Sequence, residues 1–210
     1  MAEFWFRYRR NRAAVLGLGI LFTILIMAAT AHLFYPEDPF RLVGRPLSGP
    51  LENGFLLGSD SLGRDVASGI VHGAKTSLLI GLIATLVSVF IGIFFGAFAG
   101  YFGGRIDDLL MRITEIFQTI PSFIFAILLV AIMKPSIVSI VIAIAVVSWP
   151  GVARLVRGEF LSLKNREFVQ ACHTLGMSDL RVMMREILPN CLSPIIVIGS
   201  LMVATAILIE

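Results

Sequence analysis

The residue types that most often carry chemistry are few in this chain and widely spaced. The three histidines, His32, His72 and His173, fall far apart in different connecting segments, so neither a metal cluster nor a nucleophile–His–carboxylate relay is indicated. There is no H-E-x-x-H helix and no G-x-S-x-G elbow. The nearest approach to a phosphate-binding loop is residues 69–76, G-x-x-x-x-A-K-T. It lacks the second glycine, at Ala74, and opens an apolar run instead of following a strand. No catalytic residue, bound cofactor or bound metal is therefore expected. The two cysteines, Cys172 and Cys191, lie in or beside one polar stretch and suggest no disulfide framework. The apolar runs also lack the Asp, Glu or His that an ion-coupled carrier keeps near the bilayer midplane, Glu115 lying within about two turns of the end of its run.

What remains is an island of polar and charged residues, 165–190, set between two long apolar runs. Phe168, Ala171, Cys172 and Leu175 fall at i, i+3, i+4 and i+7, and Leu180, Met183, Met184 and Ile187 repeat the spacing, so each set is expected to share a helix face. Gly176 between them is suited to the left-handed conformation that closes one helix, and Ser178 to capping the next. Pro189 is expected to end the second segment. The island thus reads as helix, turn, helix, which suits either a surface helix resting on lipid headgroups or a docking element for a partner.

The surrounding composition is that of an integral membrane protein: 57% hydrophobic and 15% charged residues, with a mean hydropathy of +0.91, against about a quarter charged in soluble domains. The predicted architecture is all-α. Residues 1–12 hold Arg7, Arg9, Arg10 and Arg12 beside Trp5, Phe6 and Tyr8, a mixture suited to the cytoplasmic headgroup region. The run 13–34, about 22 residues, is long enough to cross a bilayer and has no cleavage site after it. Residues 35–75, rich in proline and glycine, read as an external loop, and 76–210 as a core. Its expected spans are 76–100, 106–133 with a kink at Pro121, 136–152, and one that begins near Cys191 and is still in progress at Glu210. The segment 153–190 would be cytoplasmic, because Arg154, Arg157, Lys164, Arg166, Arg181 and Arg185 gather there. Gly92, Gly96 and Gly100 recur every fourth residue, the spacing that lets helices approach closely in lipid. A net charge of +3 gives no indication of nucleic acid.

Several strings then carry a resemblance. In the island, Gln170, Ala171 and Cys172 stand where the "EAA" loop of ABC importer permeases has Glu-Ala-Ala. Gly176 stands at its glycine, Leu188 and Pro189 close the motif, and Gln170, Cys172 and Glu186 depart from the commoner residues. The string Gly58-Ser59-Asp60-Ser61-Leu62-Gly63-Arg64-Asp65 reads by itself as a turn with Asp and Ser caps. It also resembles the GTDxxGRD string of permeases in the dipeptide, oligopeptide and nickel importer group, with Ser59 for Thr. Ser77-Leu78-Leu79, the turn at 100–104, Trp149-Pro150-Gly151 and the run 153–157 match that group too.

The resemblance implies a type I importer permease fold of six spans when complete, five begun here, so the chain is expected to be a C-terminally truncated fragment. It implies an inner-membrane subunit with a cytoplasmic N-terminus, forming half of a translocation path for short peptides, with nickel or glutathione as alternatives. The implied partners are a second similar permease, cytoplasmic ATPase subunits that hold the ATP and Mg, and an external solute-binding protein. The implied coupling residues are Glu167, Gln170, Ala171, Cys172, Gly176, Met177, Ser178, Asp179, Leu188 and Pro189, and the implied external motif is Gly58, Asp60, Gly63, Arg64 and Asp65. A secondary transporter would need the midplane ionisable residues that these runs lack, and a passive scaffold would explain the spans but not the hinged pair of amphipathic segments.

Overall fold

The computed structural model describes residues 8–210, and every described regular element is a helix. The expectations for Trp5, Phe6 and Arg7 fall outside the described residues. Contacts divide the chain into two compact units, Met1–Leu78 and Leu79–Glu210.

In the first unit α1, Arg12–Ala29, starts where the Asn11 side chain accepts the Ala14 N–H. Apolar residues face outward around most of its circumference, as in a helix solvated by lipid. The expected span to residue 34 is interrupted. Both the amide and the hydroxyl of Thr30 bond to the Ile26 carbonyl, and a short α2, Ala31–Phe34, follows.

The long α3, Val66–Phe102, starts at Val66, well before residue 76. Asp65 caps it, its Oδ1 accepting the Ala67 N–H at 2.9 Å. Gly69 and Gly73, read from sequence as loop residues, sit inside the helix with no atom within 4 Å of where a Cβ would lie. Its 37 residues are well beyond the roughly 20 that cross a bilayer core of about 30 Å.

The second unit is a helical bundle. Gly103 and Gly104, both at positive φ, turn the chain into α4, Gly104–Thr119. Instead of a kinked span over 106–133 there is a break. Ile120 is extended because the proline after it excludes the helical conformation, and α5, Ser122–Met133, leaves α4 at 82°. Ser136 caps α6, Ile137–Leu163, which continues through Pro150 and past the expected end at Val152. Then come α7, Glu167–Thr174, and α8, Asp179–Val182. A π-helical turn, Met183–Ile187, leads directly into α9, Leu188–Ile209. Pro189 therefore does not end the island. It lies in the first turn of α9, just after the hydrogen-bond ladder has changed register at Leu188 N–H to Met183 C=O, where a missing donor is tolerated. Four described helices are long and apolar enough to cross a membrane, or up to five if α4 and α5 form one broken span.

The glycine stripe of α3 is occupied within the unit. A Cβ at Gly92 would lie 2.5 Å from that of Val152, one at Gly96 2.8 Å from that of Val156, and one at Gly100 2.6 Å from that of Phe160. Nothing larger than hydrogen lets α6 seat there, and the Ser88 hydroxyl ties the same pair of helices by reaching the Ala145 carbonyl at 3.3 Å. Around this seam Val152, Val156 and Phe160 of α6 close a core with Val169, Val182, Met183, Ile187, Cys191 and Ile195.

Candidate coupling site

The island is built onto the end of that seam. Lys164, one residue past α6, donates from Nζ to the carbonyls of Gly100 (2.9 Å) and Tyr101 (3.4 Å), satisfying acceptors that the end of α3 leaves open. Arg157 of α6 makes a bidentate pair with Asp107 of α4, at 2.5 and 2.6 Å, fixing the adjoining turn.

From this base Arg166 takes an extended conformation and α7 begins with Glu167 in its first turn, where a carboxylate complements the helix N-terminus. The Gln170 amide donates back to the Asn165 carbonyl at 3.2 Å. The end of α7 is a Schellman-type closure: Met177 N–H reaches Cys172 C=O (3.1 Å), Gly176 N–H reaches His173 C=O (2.9 Å), and Gly176 has φ +76°. Ser178 has N-cap backbone geometry, but its side chain makes no capping bond. The neighbouring Asp179 is used across the fold: the Tyr101 hydroxyl donates to its Oδ1 at 2.7 Å and lies 3.3 Å from His173 Nε2. One tyrosine at the end of α3 therefore grips both sides of the Gly176 hinge.

The buried register differs from the expected one. Val169 is fully buried and Cys172 partly so, while Phe168, Ala171 and Leu175 face outward, Leu175 being 81% exposed. In the following segment Val182, Met183 and Ile187 are buried, whereas Leu180 and Met184 are 60% and 52% exposed. The physical reason is the tethering. A two-turn helix held at Lys164 and Tyr101 rests on the bundle through Val169 and Cys172 alone, and the π-turn rotates the second segment out of its i, i+3, i+4 register. The result is an exposed apolar set, Phe168, Ala171, Leu175, Leu180 and Met184, on both arms of a rigidly based hinge. The sequence reading missed Tyr101, Asp107, Arg157 and Lys164 as positioning residues. Their only local signal was polarity at the ends of apolar runs.

The motif at 58–65 lies in the other unit and forms a knot of turns. Asp60 Oδ1 accepts the N–H groups of Leu62 and Arg64, both at 2.8 Å; the Arg64 amide above all holds the carboxyl below the usual carboxylate range, against a smaller opposing effect of burial. Gly58 and Gly63, at φ +83° and +80°, pass so close to the carbonyls of Ser48 and Gly44 that no side chain fits. Ser59 Oγ binds the Arg45 carbonyl at 2.6 Å and receives Ser48 N–H at 2.9 Å. The Arg64 guanidinium lies over the Phe40 ring, 5.5 Å from its centroid. This region also corrects the histidine reading, since His32 and His72 meet edge to face at 5.1 Å. Among the described residues no three His, Cys, Asp or Glu side chains are grouped to hold a metal.

Helices long and apolar enough to cross a bilayer, with a braced, outward-facing hinge at the end of the bundle, describe a multi-pass membrane protein. Residues 92–209 match the family model described as binding-protein-dependent transport system inner membrane component, and residues 1–48 match that of the N-terminal TM domain of oligopeptide transport permease C. Over 99% of its length the chain is 40% identical to the di/tripeptide transport system permease protein DppC of Pseudomonas aeruginosa, covering 71% of that protein. It is 42% identical over 99% of its length to the dipeptide transport system permease protein DppC of Escherichia coli K12, again covering 71%. With the oligopeptide transport system permease protein OppC of the same strain the identity is 41%, covering 97% of this chain and 68% of the relative. The chain belongs to the binding-protein-dependent transport system inner membrane component family, and its helical bundle is an ABC permease fold of the inner membrane.

Proposed function

We propose that this chain is the transmembrane permease subunit of an ATP-driven importer of short peptides, forming half of the translocation path beside a second, similar permease. An external solute-binding protein delivers the substrate. Peptides are preferred to nickel or glutathione because the relatives named above carry di-, tri- and oligopeptide names. The chain itself performs no chemistry; ATP and Mg belong to cytoplasmic partner subunits, which dock on the hinge at 165–190. The observation that carries this reading is the exposed apolar set on α7, α8 and the π-turn, held by Tyr101 and Lys164 to the ends of α3 and α6. A contact made there moves two spans at once, whereas a helix resting on headgroups requires no such bracing.

On this reading the N-terminus and the hinge are cytoplasmic and residues 35–65 are external, and 1–12, 13–34, the loop and the core from α3 onward act as successive functional segments. The experiment is cysteine labelling at position 45 in a chain lacking Cys172 and Cys191, combined with dipeptide uptake into vesicles. Labelling only from outside, with uptake requiring the ATPase, is the expected result. Labelling only from the cytoplasm overturns the topology, and uptake by vesicles holding this chain alone overturns the ATP-driven mechanism.

A further inference from the structure

Helix α4 carries charge at a depth where lipid cannot solvate it. Its start is joined to α6 by the Asp107–Arg157 pair, and towards its other end the Phe117 ring meets Trp149 edge to face at 5.3 Å. These two contacts lie about 15 Å apart along α4 and about 12 Å apart along α6, so the helices run antiparallel and side by side. That excludes an α4 lying flat among headgroups beneath an upright α6. A hydrocarbon core of about 20 residues, placed anywhere within the 27 of α6, takes in both Trp149 and Arg154. The part of α4 from Met111 to Phe117 stands at the same depth.

On one face of α4, Asp108, Arg112 and Glu115 fall at i, i+4 and i+7. Asp108 and Glu115 border an open cleft of about 330 Å³ between α4 and α6, and Arg154 of α6 enters the same cleft. All four residues are exposed. Arg112, Glu115 and Arg154 make no side-chain hydrogen bond or ion pair among the described residues, so the bundle supplies them no partner. Ionisable groups inside a membrane face water or another protein group, not acyl chains, and they mark substrate pathways. The rest of the helix circumference is suited to lipid, with Ile106, Leu109 and Ile116 exposed there.

We propose that this face lines the inner part of the translocation path, where Glu115 and Arg154 set a preference for the charge carried by a passing peptide. One carboxylate and one guanidinium across an open cleft attract opposite side chains, and neither is silenced by the other. The substrate in this statement rests on the importer reading above, whereas the wetness of the face rests on depth and charge alone.

The test uses the assembled transporter in proteoliposomes. In a chain lacking Cys172 and Cys191, a permanently cationic methanethiosulfonate, which needs a hydrated thiolate, is expected to modify Glu115→Cys at least about tenfold faster than Leu109→Cys. Leu109 lies nearer the start of α4, so depth alone would favour it. In the otherwise unaltered transporter, Glu115→Lys is expected to lower the ratio of Ala-Lys to Ala-Glu uptake about three- to tenfold, and Arg154→Glu to raise it by a similar factor. A merely structural role would lower uptake of both peptides together. Equal labelling at 115 and 109, or a ratio that neither charge reversal moves, overturns the proposal. Fast labelling at 115 without any peptide uptake counts against the importer reading alone, and normal uptake with 115 unreactive in every nucleotide state counts against the lining alone.

Discussion

Replacing Gly96 by alanine is expected to destabilise the second unit more than any other single-methyl addition along the α3–α6 seam. A Cβ there meets the Ala153 carbonyl, the Val156 Cβ at 2.8 Å and the Arg157 amide at 3.0 Å. Two of these three neighbours are backbone atoms of a packed helix, which cannot rotate aside as a side-chain tip does. The cost is about 1–3 kcal/mol or more, and it outweighs the gain of roughly 0.5–1 kcal/mol that alanine normally brings to a helix. Gly158→Ala on α6 is the control: no atom lies within 4 Å of its added Cβ, so it should be neutral or slightly stabilising. Thermal unfolding of the purified chain in detergent should show a clear fall in midpoint for Gly96→Ala alone, roughly 2–10 °C. Equal midpoints for the two variants would show that the seam is not closed as described.

The second large effect falls on coupling. Gly176 has φ +76° with open space around its missing side chain, so a substitution there acts through the backbone and not through a clash. A β-branched residue is strained in this conformation by about 1–3 kcal/mol, while asparagine tolerates it. Gly176→Val is expected to turn α7 away from the surface it presents, lowering co-purification of the proposed ATPase partner severalfold to about a hundredfold. The spans should still insert at normal levels, and Gly176→Asn should keep most of the association. If Val and Asn behave alike, either both normal or both lost, the left-handed hinge is not what orients the docking surface.

The large features were legible in the sequence because they rest on composition and on single residues with no substitute. Apolar length marked the spans, Gly176 the hinge, and the i+4 glycines a close helix contact. What was not legible depended on partners distant in the chain. Whether Val169 or Phe168 faces inward is decided by Tyr101, which reaches His173 and Asp179 from 72 and 78 residues away, and by Lys164, which ties the start of the island to the Tyr101 carbonyl 63 residues earlier. The early start of α3 depends on Asp65, which looked like one more turn residue in a loop rich in them. Pro189 and Pro121 gave opposite outcomes from the same chemistry. The π-turn before Pro189 absorbs the missing donor, and before Pro121 the chain breaks by 82°. Local rules name the strain, and tertiary contacts decide how it is relieved.

The most direct test of the account is a photo-crosslinker placed at Leu175 in the assembled transporter. That side chain is 81% exposed at the tip of the hinge, and Leu208 on α9, 85% exposed, serves as the comparison. The account predicts that position 175 crosslinks to the ATPase subunit with a yield that changes when ATP is added, and that position 208 does not. Crosslinking of position 175 to lipid alone, with no ATPase adduct in either nucleotide state, would contradict it.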